Sequence, residues 1–193
     1  MKSRFYALVF ALGLASFEVS AITNLVVNGD FETGDSLGWT TSGSNLEWIS
    51  SPYQGTARQG NYAWQYDAYP NNPAFINQTL NTIAGTKYTL SFDTMVYGGS
   101  PNNFSISVGG SLLYSFNNSP DYSWKTDVVY FTATSDDEVL SVGGASEPLW
   151  VEVDNVSVTA VPEPSAFSLL AMGLGALVLR RRRRSHLALK NSV

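Results

Sequence analysis

Three hydrophobic patterns follow one another along the chain. Phe5 to Phe17 is an apolar run broken only by Gly13 and Ser16. From Asn24 onward the apolar positions come in short groups separated by turn residues. A second apolar run, Ala166 to Leu179, ends directly in Arg180-Arg181-Arg182-Arg183-Arg184. In the middle, Tyr88-Thr89-Leu90-Ser91-Phe92-Asp93 alternates large apolar and small polar residues, the period of a strand with one buried face. The same criterion predicts strands at Asn24–Val27, Tyr62–Tyr66, Ala74–Leu80, Lys87–Met95 and Phe104–Val108. It predicts further strands at Leu112–Phe116, Val128–Ala133, Val139–Val142 and Val151–Thr159. Asn71-Asn72-Pro73, residues 98–103, Gly109-Gly110 and Gly143-Gly144 are the expected turns, and Gly109-Gly110 signals a hairpin. No stretch keeps a helical period. The fold expected is all-β, a jelly-roll β-sandwich spanning residues 22–160.

The two ends do not belong to that sandwich. Met1-Lys2-Ser3-Arg4 is basic, an apolar segment follows, and Glu18-Val19-Ser20-Ala21 closes with small residues. These are the three parts of a signal peptide, with cleavage expected after Ala21. A buried N-terminal helix is the alternative, but no helical partner for it follows. At the other end, fourteen apolar residues would span roughly 21 Å of helix against about 30 Å of bilayer hydrocarbon. Arginine stems extend that reach by lying along the boundary with their heads in water. Arginine clusters stay on the cytoplasmic side, so the expected anchor is a short transmembrane helix, N-outside and C-inside. Residues 185–193 form a cytoplasmic-side tail.

Removing the ends changes the charge picture. Of eleven Lys and Arg, residues 22–164 keep only Arg58, Lys87 and Lys125, against fifteen of the sixteen Asp and Glu. Such an acidic domain excludes a nucleic-acid partner, which needs a basic face. It favours a divalent cation. The chain has no cysteine, so neither disulfides nor thiol chemistry is available. Its single histidine, His186, lies in the tail, which removes histidine-based triads and histidine-ligated zinc from the domain. No pair of acids is marked by motif for glycoside cleavage, and the expectation is a protein that is not an enzyme.

Pro162-Glu163-Pro164, a short apolar segment and then the arginine cluster resemble the PEP-CTERM sorting signal of Gram-negative bacteria. The resemblance covers residues 161–184 and implies an exosortase as processing partner. Two prolines keep the segment extended, where a protease can reach the backbone. The chain departs from the pattern in running on from Ser185 to Val193. What it implies is an inner-membrane-anchored precursor that reaches the cell surface or the extracellular space after cutting.

Asn24-Leu25-Val26-Val27-Asn28-Gly29-Asp30-Phe31-Glu32, then Gly38-Trp39, resembles the opening of carbohydrate-binding modules with a galactose-binding-like jelly roll. Gln78-Thr79-Leu80, Gly85 to Phe92, and Val153-Asp154-Asn155-Val156-Ser157-Val158 fit the same family in the same order. The resemblance implies a structural calcium held by Glu32 and Asp154, with Asp30 as a third ligand; the alternative is solvated strand-end carboxylates. Calcium's preference for several hard oxygens agrees with an acidic domain. Aromatic side chains suit the apolar faces of sugar rings. Tyr62, Trp64 and Tyr66 share a strand face that the core can claim, and Trp39 and Trp124 are expected to pack. Trp48, Tyr53 and Tyr69, set among turn residues, are the expected ligand contacts, with Gln65, Asn71 and Asn72 near them in sequence. Two functions stay open: a surface or matrix protein whose sandwich binds extracellular polysaccharide, and a structural or adhesive surface protein with no carbohydrate ligand.

Overall fold

Alternation along the middle of the chain produces ten strands in two antiparallel sheets. The computed structural model describes residues 23–44, 47–50, 58–97, 99–162, 173 and 175, without the side chains of Trp48 and Ser50. Strands β1 (Thr40–Gly43), β4 (Ala74–Leu80), β9 (Glu138–Ser146), β6 (Asn102–Val108) and β7 (Ser111–Asn117) form the first sheet in that order. The second runs β2 (Glu47–Ser50), β3 (Ala63–Tyr66), β10 (Val151–Ala160), β5 (Lys87–Val96) and β8 (Tyr122–Thr132). Except for the β2–β3 and β6–β7 pairs, successive strands cross between the sheets, as in a jelly roll.

The core lies between the sheets and takes every second residue. Ile76, Leu80, Phe104, Ile106, Leu140 and Val142 enter it from the first sheet. From the second come Trp64, Tyr66, Leu90, Phe92, Val151 and Val153. Phe92, Phe104, Tyr114 and Phe116 pack ring against ring across the gap, at centroid distances of 5.3 to 6.5 Å. Such aromatic contacts add to simple burial.

Gly109-Gly110 turns β6 into β7 as expected. Gly143-Gly144 does not turn. Both residues lie inside β9, which pairs with β4 on one side and β6 on the other. A Cβ on Gly144 would sit 2.2 Å from the Asn103 carbonyl oxygen. Glycine is there because neighbouring backbone comes too close for a side chain. The first expected strand, Asn24–Val27, reduces to one bridge from Asn24 to Thr159 and a hydrogen bond from Leu25 N to the Val158 carbonyl. Tyr62 lies just outside β3 and is exposed, while Trp64 and Tyr66 are core. The proposed signal peptide, and the apolar run 166–179 apart from the exposed Gly173 and Gly175, lie outside the described residues. Among the described residues no helix is long and apolar enough to cross a membrane.

Replacing Gly144 by Ala forces β9 away from β6. The expected cost is roughly 1–3 kcal/mol, a drop of several degrees in melting temperature. The same change at Gly110, where a Cβ meets nothing within 4 Å, carries only the strain of a left-handed backbone (φ +78°). Thermal denaturation of the two variants should rank Gly144→Ala well below Gly110→Ala.

Candidate functional site

Pairing register places a polar surface on the outer side of the second sheet. Because Trp64, Tyr66, Phe92, Val151 and Val153 point into the core, their alternate neighbours point outward. Gln65 stands opposite Glu152, and Glu152 opposite Met95. One step along, Asp154 stands opposite Asp93, and Asp93 opposite Thr126. Gln65, Asp93, Glu152 and Asp154 are all buried, Glu152 and Asp154 completely. Burying carboxylates is costly unless each oxygen is matched.

Asp93 is matched by side chains. Thr126 Oγ1 donates to Oδ1, Asn155 Nδ2 donates to Oδ2 at 2.8 Å, and Arg58 Nε lies 3.8 Å from Oδ2. Asp154 is matched by backbone. Asn155 N donates to Oδ1 at 2.6 Å and Gln59 N to Oδ2 at 3.3 Å. Burial pushes the Asp154 carboxyl up to about 7, with the Asp93 charge adding to the rise and the backbone donors opposing it. A cavity of about 740 Å³ opens on this face, bordered by Asp30, Arg58, Gln59, Asp93, Thr126 and Asn155. At the end of the same face, where β5 and β8 meet, a second cavity of about 440 Å³ is lined by Met95, Tyr97, Tyr122 and Trp124. Tyr97 N donates to the Trp150 carbonyl, which brings a fourth half-buried aromatic residue to that end.

The expected calcium ligands are only partly gathered. Glu32 Oε1 accepts from Asn61 N at 2.7 Å and Tyr62 N at 2.8 Å, and these bonds hold its carboxyl below the usual range. A Cβ on Gly60 would lie 2.2 Å from Glu32 Cδ, so the 58–62 segment wraps closely on that carboxylate. Glu32 and Asp154 therefore grip one segment from two sides. Asp30 is exposed, and its Oδ1 lies 3.5 Å from Glu32 N. Among the described residues no three acidic, histidine or cysteine side chains stand close enough to hold a metal. The donor set suits calcium to the extent that two hard carboxylates flank a segment rich in main-chain oxygens.

Of the expected ligand aromatics, Trp48 lies on β2 opposite Gln65, in the same row as Glu152 and Met95, with its side chain outside the described residues. Tyr53 lies outside the described residues. Tyr69 is 52% exposed on the β3–β4 connection and borders neither cavity of this face. Sequence reasoning missed Asp93, Trp150 and Glu152, and assigned Trp124 to packing. Glu152 and Asp154 alternate with Val151 and Val153, and that pattern could have marked a strand whose outer face is not ordinary solvent.

This arrangement defines a jelly-roll sandwich with a polar, aromatic-flanked sheet face. Residues 23–142 match the family model described as a carbohydrate binding domain, and the chain belongs to that family. Residues 160–184 match the PEP-CTERM protein-sorting motif, which marks an exported protein. Pro162 is exposed; Glu163, Pro164 and Arg180 to Arg184 lie outside the described residues. No curated protein matches the chain in sequence. Among solved structures, TmCBM61 in complex with beta-1,4-galactotriose aligns with a TM-score of 0.58 at 21% identity, over 72% of this chain and 99% of that one. The K3 cleaved adhesin domain of Lys-gingipain from Porphyromonas gingivalis aligns at 0.53 and 16% identity, over 72% and 98%. The active domain of tailspike protein 4 of bacteriophage CBA120 aligns at 0.56 and 12% identity, over 72% of this chain. This chain spans only 21% of that tailspike chain. At these identities the likeness is one of fold.

The Asp154 carboxyl keeps its proton in the folded state where the unfolded chain has lost it. Its contribution to stability is therefore intact below about pH 4, declines as pH rises, and is gone by about pH 7, a loss of up to roughly 4 kcal/mol. In buffer stripped of divalent cations, melting temperature should fall over that window, and Asp154→Asn should remove that part of the slope. A wild type and variant with parallel pH profiles would show that Asp154 ionises normally.

Proposed function

We propose that this is an exported surface or extracellular-matrix protein whose sandwich binds polysaccharide on the outer face of the second sheet. The observation that carries the reading is the opening at the end of that face, lined by the half-buried Tyr97, Tyr122 and Trp124; the buried row Gln65–Glu152–Met95 leads to it and supports it from beneath. The exposed Asp121 carboxylate and Ser123 hydroxyl in that opening offer hydrogen bonds to sugar hydroxyls, and the aromatic faces cover the apolar C–H surfaces. Membership of a carbohydrate-binding family supports this, as do neighbours solved with bound oligosaccharide. One is TmCBM61; another is the CBM22-1-GH10 modules of endo-1,4-beta-D-xylanase 10B from Clostridium thermocellum, complexed with xylohexaose, a chain of which this one spans 28%. Trp48 belongs to the proposed surface by its register with Gln65. The tail serves as inner-membrane anchor until an exosortase cuts at Pro162-Glu163-Pro164.

In affinity gels containing neutral polysaccharides, the protein should be retarded by at least one polymer. Trp124→Ala and Trp48→Ala should each weaken that retardation about fivefold, from a stacking contribution on the order of 1 kcal/mol. Tyr69→Ala should leave most of it. If no polysaccharide retards the wild type, the structural or adhesive role takes its place.

Calcium belongs to the same reading as a structural ion between Glu32 and Asp154, completed by main-chain oxygens of the 58–62 segment. It would supply the positive charge that the buried Asp154 lacks, and so hold Asp154 ionised. Added calcium should raise the melting temperature at pH 7.5 by several degrees, and Glu32→Gln should abolish most of that rise. A melting curve indifferent to both calcium and chelator would show that no such ion binds.

A further inference from the structure

A separate opening lies on the flank of the sandwich, where edge strands β1 and β2 face each other across the gap between sheets. It encloses a cavity of about 320 Å³. Phe31, Trp39, Ile49, Trp64 and Ile76 make its walls apolar, and Glu47 stands at the β2 edge. Trp39 is fixed in place, because its Nε1 donates to the Asn28 carbonyl at 3.0 Å and its ring lies 5.7 Å from that of Phe31.

Two polar atoms of this lining have no hydrogen-bond partner. Trp64, 1% exposed, has an indole Nε1 that donates to nothing, and Glu47 Oε2 is buried and accepts from nothing, although the Thr41 side chain hydrogen-bonds the same carboxyl group. Leaving both unmatched costs free energy. An indole N–H can only donate, and a carboxylate can only accept. A single hydroxyl answers both, since its oxygen accepts from the indole while its proton goes to the carboxylate. The volume is at the lower end of ligand pockets, which run from roughly 300 to 1,000 Å³. It suits one ring rather than a chain. Flat aromatic walls suit the apolar face of that ring, and the Glu47 carboxylate, itself pushed up by burial, repels an anionic one.

We infer that this flank cavity binds one uncharged, hydroxyl-bearing ring, a neutral pyranose, with a ring hydroxyl bridging Trp64 Nε1 and Glu47 Oε2. The inference rests on the carbohydrate reading and adds to it a second site that recognises a single residue or a chain end. The outer sheet face takes internal segments of a polymer; this cavity takes one unit.

The test uses the full-length chain in a detergent without sugar headgroups, titrated with methyl pyranosides of glucose, galactose, xylose and mannose. Tryptophan fluorescence and saturation-transfer NMR report binding, and polysaccharide affinity gels run in parallel report the outer face. At least one pyranoside should bind and perturb tryptophan emission. Glu47→Gln should weaken it roughly tenfold, the effect of one lost charge-assisted hydrogen bond, while gel retardation is unchanged. Trp64→Phe, which removes the N–H but keeps a ring, should do the same if it melts near the wild type. Failure of every pyranoside with gel retardation intact overturns this inference alone, and an ordered water then satisfies the two atoms. Unchanged pyranoside affinity in Glu47→Gln also overturns it, because the ring then sits elsewhere. Loss of both pyranoside and polymer binding in the wild type removes the carbohydrate reading itself.

Discussion

Strand β10 is buried on both of its faces, and much of the molecule follows from that constraint. Val151, Val153, Val156 and Val158 supply its inner side and belong to the core between the sheets. Glu152 and Asp154, also buried, supply its outer side. A strand with valines on one face and acids on the other is ordinary when the acids meet water. Here they do not, so each must find donors. Asp154 takes them from Gln59 and Asn155 backbone, and its neighbour Asp93 takes them from Thr126 and Asn155. Those bonds order the 58–62 segment and the irregularity in pairing between Asp154 and Ser157. The polar face is thus built by the same strand that closes the core.

The opening segment of the domain is tied to this strand in the same way. Leu25 N donates to the Val158 carbonyl, Val156 N donates to the Gly29 carbonyl, and Val158 N donates to Asn24 Oδ1. Glu32, a few residues on, reaches the 58–62 segment. One connection is therefore held by a carboxylate from the first segment and a carboxylate from the last. Chain ends that are far apart in sequence fix a single loop beside the proposed ligand face. Loosening either carboxylate would loosen the geometry of that face as well as the fold.

What the sequence made legible is what local periodicity controls. Ala74–Leu80 matches its strand residue for residue, and Lys87, Val151 and the Gly109-Gly110 hairpin fall where alternation placed them. Strands β1 and β2, Thr-Thr-Ser-Gly and Glu-Trp-Ile-Ser, are too short to show a period and owe their pairing to neighbours. Gly143-Gly144 looks like a turn because the close approach of β4 and β6, which demands glycine, is invisible in one dimension. The site was legible in part for the same reason. Asp154 and Glu32 were singled out through a motif, and both reach the 58–62 segment. Gln65 and Glu152 become neighbours only when register is known, and register is a property of the whole sheet.

The charge balance carries a consequence for the kind of polymer this surface can meet. All three basic residues of the sandwich are engaged within it. Arg58 faces Asp93, Lys125 Nζ lies 2.9 Å from Asp127, and Lys87 Nζ lies 5.5 Å from the centre of the Tyr130 ring. An anionic polysaccharide would have to draw one of them away from its partner, and would approach Asp30, Asp93, Glu152 and Asp154 on the outer face. Both steps oppose binding, and low salt would strengthen the opposition because screening falls. An uncharged chain meets neither obstacle, since it has no charge to be repelled and leaves the ion pairs in place. The acids that make the face expensive to fold would thus also disfavour an anionic ligand there.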